Sequence, residues 1–196
     1  MKKAELVKYF KSRYPAVNEG GGDWRFTVKD DAEGYLDLCP KLRGIPGNQI
    51  IGVSLIMAPR WYRDLITTVL AENQGFMFHT GDGNVFIKTG GEVTEAHLAE
   101  VTQMALDWFY QCCAEEVVVS NFKRKYESYK PPSWQFSHII ACILKGDVEK
   151  LQTYLDAFKR GDRMDFIPIV EQEHFERAIP LAEKYRSGEL VSPVEF

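Results

Sequence analysis

Few of the chemically capable residues in this 196-residue sequence stand at the spacings that chemistry requires. His138 and Cys142 lie four apart on an expected helix, sharing a face with Trp134. Two such ligands could begin a zinc site, but tetrahedral zinc needs two more. Cys112 and Cys113 cannot both turn towards one ion, because adjacent side chains on a helix diverge by about 100°. Buried thiols and a satisfied histidine are the simpler reading. His79 and Asp82 could pair as acid and base at a hairpin tip, although polar residues at a turn are more often only solvated. Ser120 and Lys123 form a lone Ser-x-x-Lys without its partner motifs, and no Gly-x-Ser-x-Gly occurs. Glu171, Glu173, His174 and Glu176 suit the positive end of a helix dipole.

The glycine runs are no better placed for phosphate. Gly20-Gly21-Gly22 precedes a strand, whereas a nucleotide loop follows one. Gly90-Gly91 lies between strand and helix, where free N–H groups could hold an anion, but Glu92 would repel it and no Gly-Lys-Ser/Thr follows. No catalytic, metal-binding or cofactor-binding residue is therefore assigned, and no cofactor is expected. One segment remains. Residues 121–130 carry four cations against one carboxylate, with Phe122, Tyr126 and Tyr129 interleaved. Lys123, Arg124, Lys125, Tyr126 and Lys130 are the candidate ligand contacts, since aromatic-plus-cation surfaces stack on bases. The plainer reading is a solvated connector anchored by its aromatics, because nucleic-acid surfaces generally recruit more charge.

These residues need elements to position them. Residues 2–13 form an amphipathic helix with Leu6, Val7 and Phe10 on one side. Gly20-Gly21-Gly22 makes a flexible connector. Trp24, Phe26 and Val28 alternate as a half-buried strand, followed by strands at 35–39 and 49–57 with a loop at 40–48. A helix follows from Pro59 to about Asn73. Phe76 and Phe78 open a fourth strand and Val85 and Ile87 a fifth, across a Gly81-Asp82-Gly83-Asn84 turn. Thr94 caps a long helix over 94–118, with Val93 and Leu98 as a hydrophobic staple. Ser133 and Asp147 start two further helices, ending at Gly146 and Gly161. Phe166 to Val170 is short and extended, and a last helical pattern carries Phe175 to Tyr185, which Pro180 must kink or divide. The fold class is α+β: a mainly antiparallel five-stranded sheet with flanking helices over residues 1–120, and a helical extension over 121–196 packed on it.

Composition limits the rest. Twenty-four basic and 28 acidic residues give a net charge of −4, which argues against a surface built wholly for nucleic acid or anionic lipid. No stretch reaches the roughly 20 apolar residues of a membrane helix, and Glu5 and Lys8 interrupt any signal-peptide core. Vicinal Cys112 and Cys113 point to reduced thiols and a cytoplasmic location. The element order over residues 1–118 resembles the type III secretion chaperone-like fold, a topology-level likeness carried by no specific motif. Such chaperones end near the long helix, whereas about 75 residues continue here. That resemblance implies a non-catalytic, partner-binding or chaperone-like protein, dimeric, with a protein partner. A nucleic-acid-associated regulator using 121–130 is the alternative, and an enzyme without a readable motif the third.

Overall fold

The computed structural model describes residues 1–71, 84–127 and 135–196. The chain divides into two compact units, one of residues 1–60 with 75–113 and one of 61–74 with 114–196.

The first unit is a sheet with helices on one face. Helix α1 (Lys3–Lys11) leads into strands β1 (Ala16–Gly20), β2 (Asp23–Asp30), β3 (Gly34–Ile45) and β4 (Asn48–Pro59). After helix α2 (Arg60–Leu70) come β5 (Asn84–Lys88) and helix α3 (Glu95–Cys112). All neighbours pair antiparallel in the order β1-β2-β3-β4-β5, which makes the α+β fold with a five-stranded antiparallel sheet. Alternation assigns the faces. Ile51, Val53, Leu55 and Met57 of β4 are buried with Phe26, Leu36 and Leu38 against Phe10 of α1 and Leu98, Val101, Ala105 and Phe109 of α3. Val93 and Leu98, the expected staple, are both buried. Gln49 Oε1 accepts the Val93 N–H at 2.8 Å and so fixes the entry to α3.

The second unit is helical: α2 from Trp61, α4 (Glu115–Glu127), α5 (Gln135–Lys145), α6 (Val148–Lys159) and α7 (Gln172–Ser187). Its core joins Tyr62, Leu65, Ile66 and Val69 of α2 with Phe122, a fully buried α5 stripe, Leu151 and Phe175. Asp147 caps α6, its carboxylate accepting the Lys150 N–H at 3.1 Å. Gly146 and Gly161 take positive φ at the helix ends, where glycine is unstrained.

Several expectations need correction. Ala16–Gly20 is a strand, and the glycines after it make the turn of a hairpin rather than a loose connector. Residues 40–45 are strand and not loop, despite Pro40. The β2–β3 ladder ends at the Phe26–Leu38 pair, so the missing N–H of Pro40 costs no hydrogen bond on that side. The long helix stops at Cys112, and α4 runs unbroken through 120–121. Phe166 to Val170 is a chain of turns, because Arg163 Nη2 takes the carbonyls of Ile167 at 2.8 Å and Val170 at 2.6 Å. Pro180 sits within the single helix α7. The expected Phe76–Phe78 strand and most of the turn before Asn84 lie outside the described residues.

Candidate functional site

The sheet face opposite α3 is open enough at the β3–β4–β5 end to hold a groove. Its volume is about 390 Å³, and Lys41, Arg43, Ile50, Gly52, Phe86 and Lys88 dominate its lining. Pairing sets these residues in rows across the strands. Arg43 faces Ile50, which faces Lys88; Lys41 faces Gly52, which faces Phe86; Cys39 faces Ser54, which faces Asn84. The middle row has a gap at its centre, because Gly52 has no side chain. An added Cβ there would meet nothing closer than Phe86 Cβ at 3.7 Å, so the gap is real space. Phe86 forms its wall and is 60% exposed.

The polar rim is rich in donors. Lys41 pairs with Asp23 at 3.6 Å, whereas Arg43 and Lys88 make no ion pair among the described residues. Ser54 Oγ donates to Asn84 Oδ1 at 2.9 Å, which leaves the Asn84 amide NH₂ to donate outward. Further along the same face, Arg25 Nη1 lies 3.0 Å from Asp37 Oδ2, and the Tyr35 hydroxyl donates to the same carboxylate. Burial, and then the Asp37 carboxylate, hold the Tyr35 phenol protonated well above its ordinary range. Burial likewise raises the Cys39 thiol, with Asp37 adding to it, so no ready thiolate stands beside the groove. The chemistry on offer is capture of an anion that carries apolar surface.

The segment singled out in the sequence lies elsewhere, on α4. Lys123 is half-buried, and Arg124 is exposed, with Nη2 3.3 Å from Asn121 Oδ1. Lys125 is buried, its Nζ 5.1 Å from the Phe122 ring centroid, and burial lowers its ammonium to about 8, with Arg124 adding to the effect. The Tyr126 hydroxyl donates to Asp147 Oδ2 at 2.5 Å, while Lys145 and Lys150 place Nζ 3.9 and 4.3 Å from its ring centroid. Lys125 and Tyr126 thus serve the helical unit's own packing, and Lys130 and Tyr129 lie outside the described residues.

His138, His174, His97 and the Gly90-Gly91 turn have structural partners. His138 is fully buried, with Nδ1 2.9 Å from the Lys125 carbonyl and Nε2 3.0 Å from the Tyr154 hydroxyl. A carbonyl only accepts, so Nδ1 carries the hydrogen and Nε2 accepts from Tyr154. Cys142 Sγ stands 3.6 Å from Nε2. Among the described residues no group of three His, Cys, Asp or Glu side chains could hold a metal ion. His174 Nδ1 accepts the Glu171 N–H at 2.9 Å and caps α7, and His97 does the same for Thr94 at 3.1 Å on α3. The Gly91 N–H donates to Thr89 Oγ1 at 3.2 Å inside its own turn. His79, Asp82 and Trp134 lie outside the described residues, and no described helix is long and apolar enough to cross a membrane.

Fold and groove together define an α+β protein with a donor-rich, part-apolar cleft on the outer face of an antiparallel sheet. The chain belongs to the family of unknown function DUF6990, whose model matches residues 2–183. No curated protein and no solved structure matches it.

Proposed function

We propose that this chain is a non-catalytic, partner-binding protein of the cytoplasm, chaperone-like in its mode of action and homodimeric. The observation that carries the reading is the groove, where Arg43 and Lys88, two cations without an ion pair among the described residues, flank exposed Phe86 over the gap at Gly52. Aromatic side chains and arginines at a concavity are the usual anchors of an interface. Four free cysteines are in keeping with a reducing compartment, and the likeness to secretion chaperones adds a reason to expect a protein partner. Nucleic-acid association through Lys123, Arg124, Lys125, Tyr126 and Lys130 has less to support it, because the Lys125 ammonium is buried and the Tyr126 ring is engaged. The deciding experiment replaces Phe86 with a photocrosslinking amino acid in the source cells. Discrete adducts are expected at Phe86, absent when Glu173 on α7 carries the crosslinker, and lost on adding Arg43→Glu with Lys88→Glu. Identical adducts at both positions, or none at either, would defeat the proposal.

A further inference from the structure

The groove's dimensions say more about its occupant than its charge does. Strands lie about 4.8 Å apart and alternate residues on one strand about 7 Å apart. Arg43 and Lys88 stand two strands apart across Ile50, so their backbones are separated by about 10 Å. Both side chains are long enough to converge on a single anionic group above Ile50. One step along the strands, the gap over Gly52 lies between Lys41 on one side and Phe86 on the other. A planar apolar group seated there would stack on the exposed Phe86 ring, with the Lys41 side chain along its other edge. The anion site and the aromatic site are therefore about 7 Å apart along β4. That is the spacing of residues i and i+2 in an extended peptide, whose side chains point to one face.

We infer that, within the partner-binding role proposed above, the groove receives an extended acidic protein segment in which a Glu or Asp stands two residues from a Phe or Tyr. The carboxylate lies between Arg43 and Lys88, and the aromatic ring fills the space over Gly52 against Phe86. The donors of the rim select for acceptors: Lys41, Arg43, Lys88 and the Asn84 amide all offer N–H groups. A lysine-bearing segment would meet like charge. A nucleic-acid strand suits the site less well, because its repeating phosphates draw on more cations than the three that line the groove.

Fluorescence anisotropy with the full chain tests this. The probe is a labelled octapeptide centred on Glu-Ser-Phe-Glu, compared with Lys-Ser-Phe-Lys and Glu-Ser-Gly-Glu versions and with a labelled oligothymidine. The Glu-Ser-Phe-Glu peptide should bind, more weakly as salt rises, and both altered peptides should bind less tightly. Gly52→Val places a side chain in the gap, its Cβ meeting nothing closer than 3.7 Å, and suits a strand, so it should weaken binding about tenfold, equivalent to about 1.4 kcal/mol. Arg43→Glu with Lys88→Glu should weaken it at least as much, and thermal melts confirm that both variants fold. Equal binding of the Lys-Ser-Phe-Lys or Glu-Ser-Gly-Glu peptide, tighter binding of oligothymidine, indifference to Gly52→Val, or no peptide binding would each overturn the inference. If the Phe86 adducts persist in that case, the partner-binding role stands and only the assigned partner chemistry falls. If they vanish too, both fall.

Discussion

Replacing His138 with Gln should remove a specific part of the protein's sensitivity to acid. Burial is the largest influence on this imidazole and lowers its pKa from 6.5 to about 4. Its hydrogen bond to the Lys125 carbonyl and the nearby Asp147 carboxylate oppose that shift, while Lys150 reinforces it. The sign follows directly. Between pH 6.5 and about 4 the unfolded chain binds a proton at His138 that the folded chain refuses, so acidification favours unfolding. Each pH unit in that window costs about 1.4 kcal/mol, or about 2 kcal/mol between pH 6 and 4.5. His138→Gln loses some stability at every pH, because the amide cannot reproduce both bonds, but it lacks this slope. The assay is amide hydrogen exchange of peptides covering α5, which reports the local opening free energy and does not require the two units to unfold together. Wild type should lose about 2 kcal/mol more protection than the variant over that interval. Parallel losses would refute the argument that His138 is held neutral in the helical unit.

Four further outcomes are expected. Gly34→Ala should destabilise by about 1–3 kcal/mol in urea titrations, because its Cβ would sit 2.4 Å from the Ala58 carbonyl oxygen and 2.7 Å from Phe109, whereas Gly52→Val should leave the midpoint near wild type. Asp147→Ala should lower helical-unit stability by about 2 kcal/mol in the same titrations, since one carboxylate both caps α6 and accepts the Tyr126 hydroxyl. Native protein at pH 8 should react slowly with a thiol reagent, since burial pushes Cys113 and Cys142 up to about 12, and denatured, never-reduced protein should titrate four thiols. Light scattering should give about 45 kDa for the proposed homodimer, twice the 22.5 kDa chain, and 22.5 kDa would refute it.

The sequence disclosed elements wherever burial was one-sided and periodic. Trp24, Phe26 and Val28 alternate, and Thr94 with Val93 and Leu98 marks the start of α3, so β2 and α3 were legible. Ala16–Gly20 was not, because all five residues are exposed and leave no apolar alternation to detect. Pro40 hid the second half of β3, since only the register reveals that its ladder on the β2 side has already ended. The capping roles of His97 and His174 were hidden behind the expectation of Glu or Gln at the third helical position. The groove was illegible for a different reason. Lys41 and Arg43 meet Phe86 and Lys88 only through β4, across more than forty residues of chain. The faint signal lay in the alternation itself, Lys41-x-Arg43 and Phe86-x-Lys88, which puts each pair on one face of its strand.

The route of the chain through its two units sets an order of events during synthesis. Helix α2 leaves the ribosome immediately after β4, yet its buried residues Tyr62, Leu65, Ile66 and Val69 belong with helices that begin only at Glu115. Arg177 Nε, which holds the Val69 carbonyl at 2.5 Å, is made more than a hundred residues later. At about 5–20 residues per second, α2 waits roughly 5–20 s for that partner with its apolar stripe uncovered. The β1–β4 meander, whose strands are neighbours in sequence, can close behind it within that time. No single cut can separate the units, because the sheet unit resumes after α2 to collect β5 and α3. A nascent chain stalled before Glu115 would display an orphan amphipathic helix, a ready substrate for holding factors and proteases.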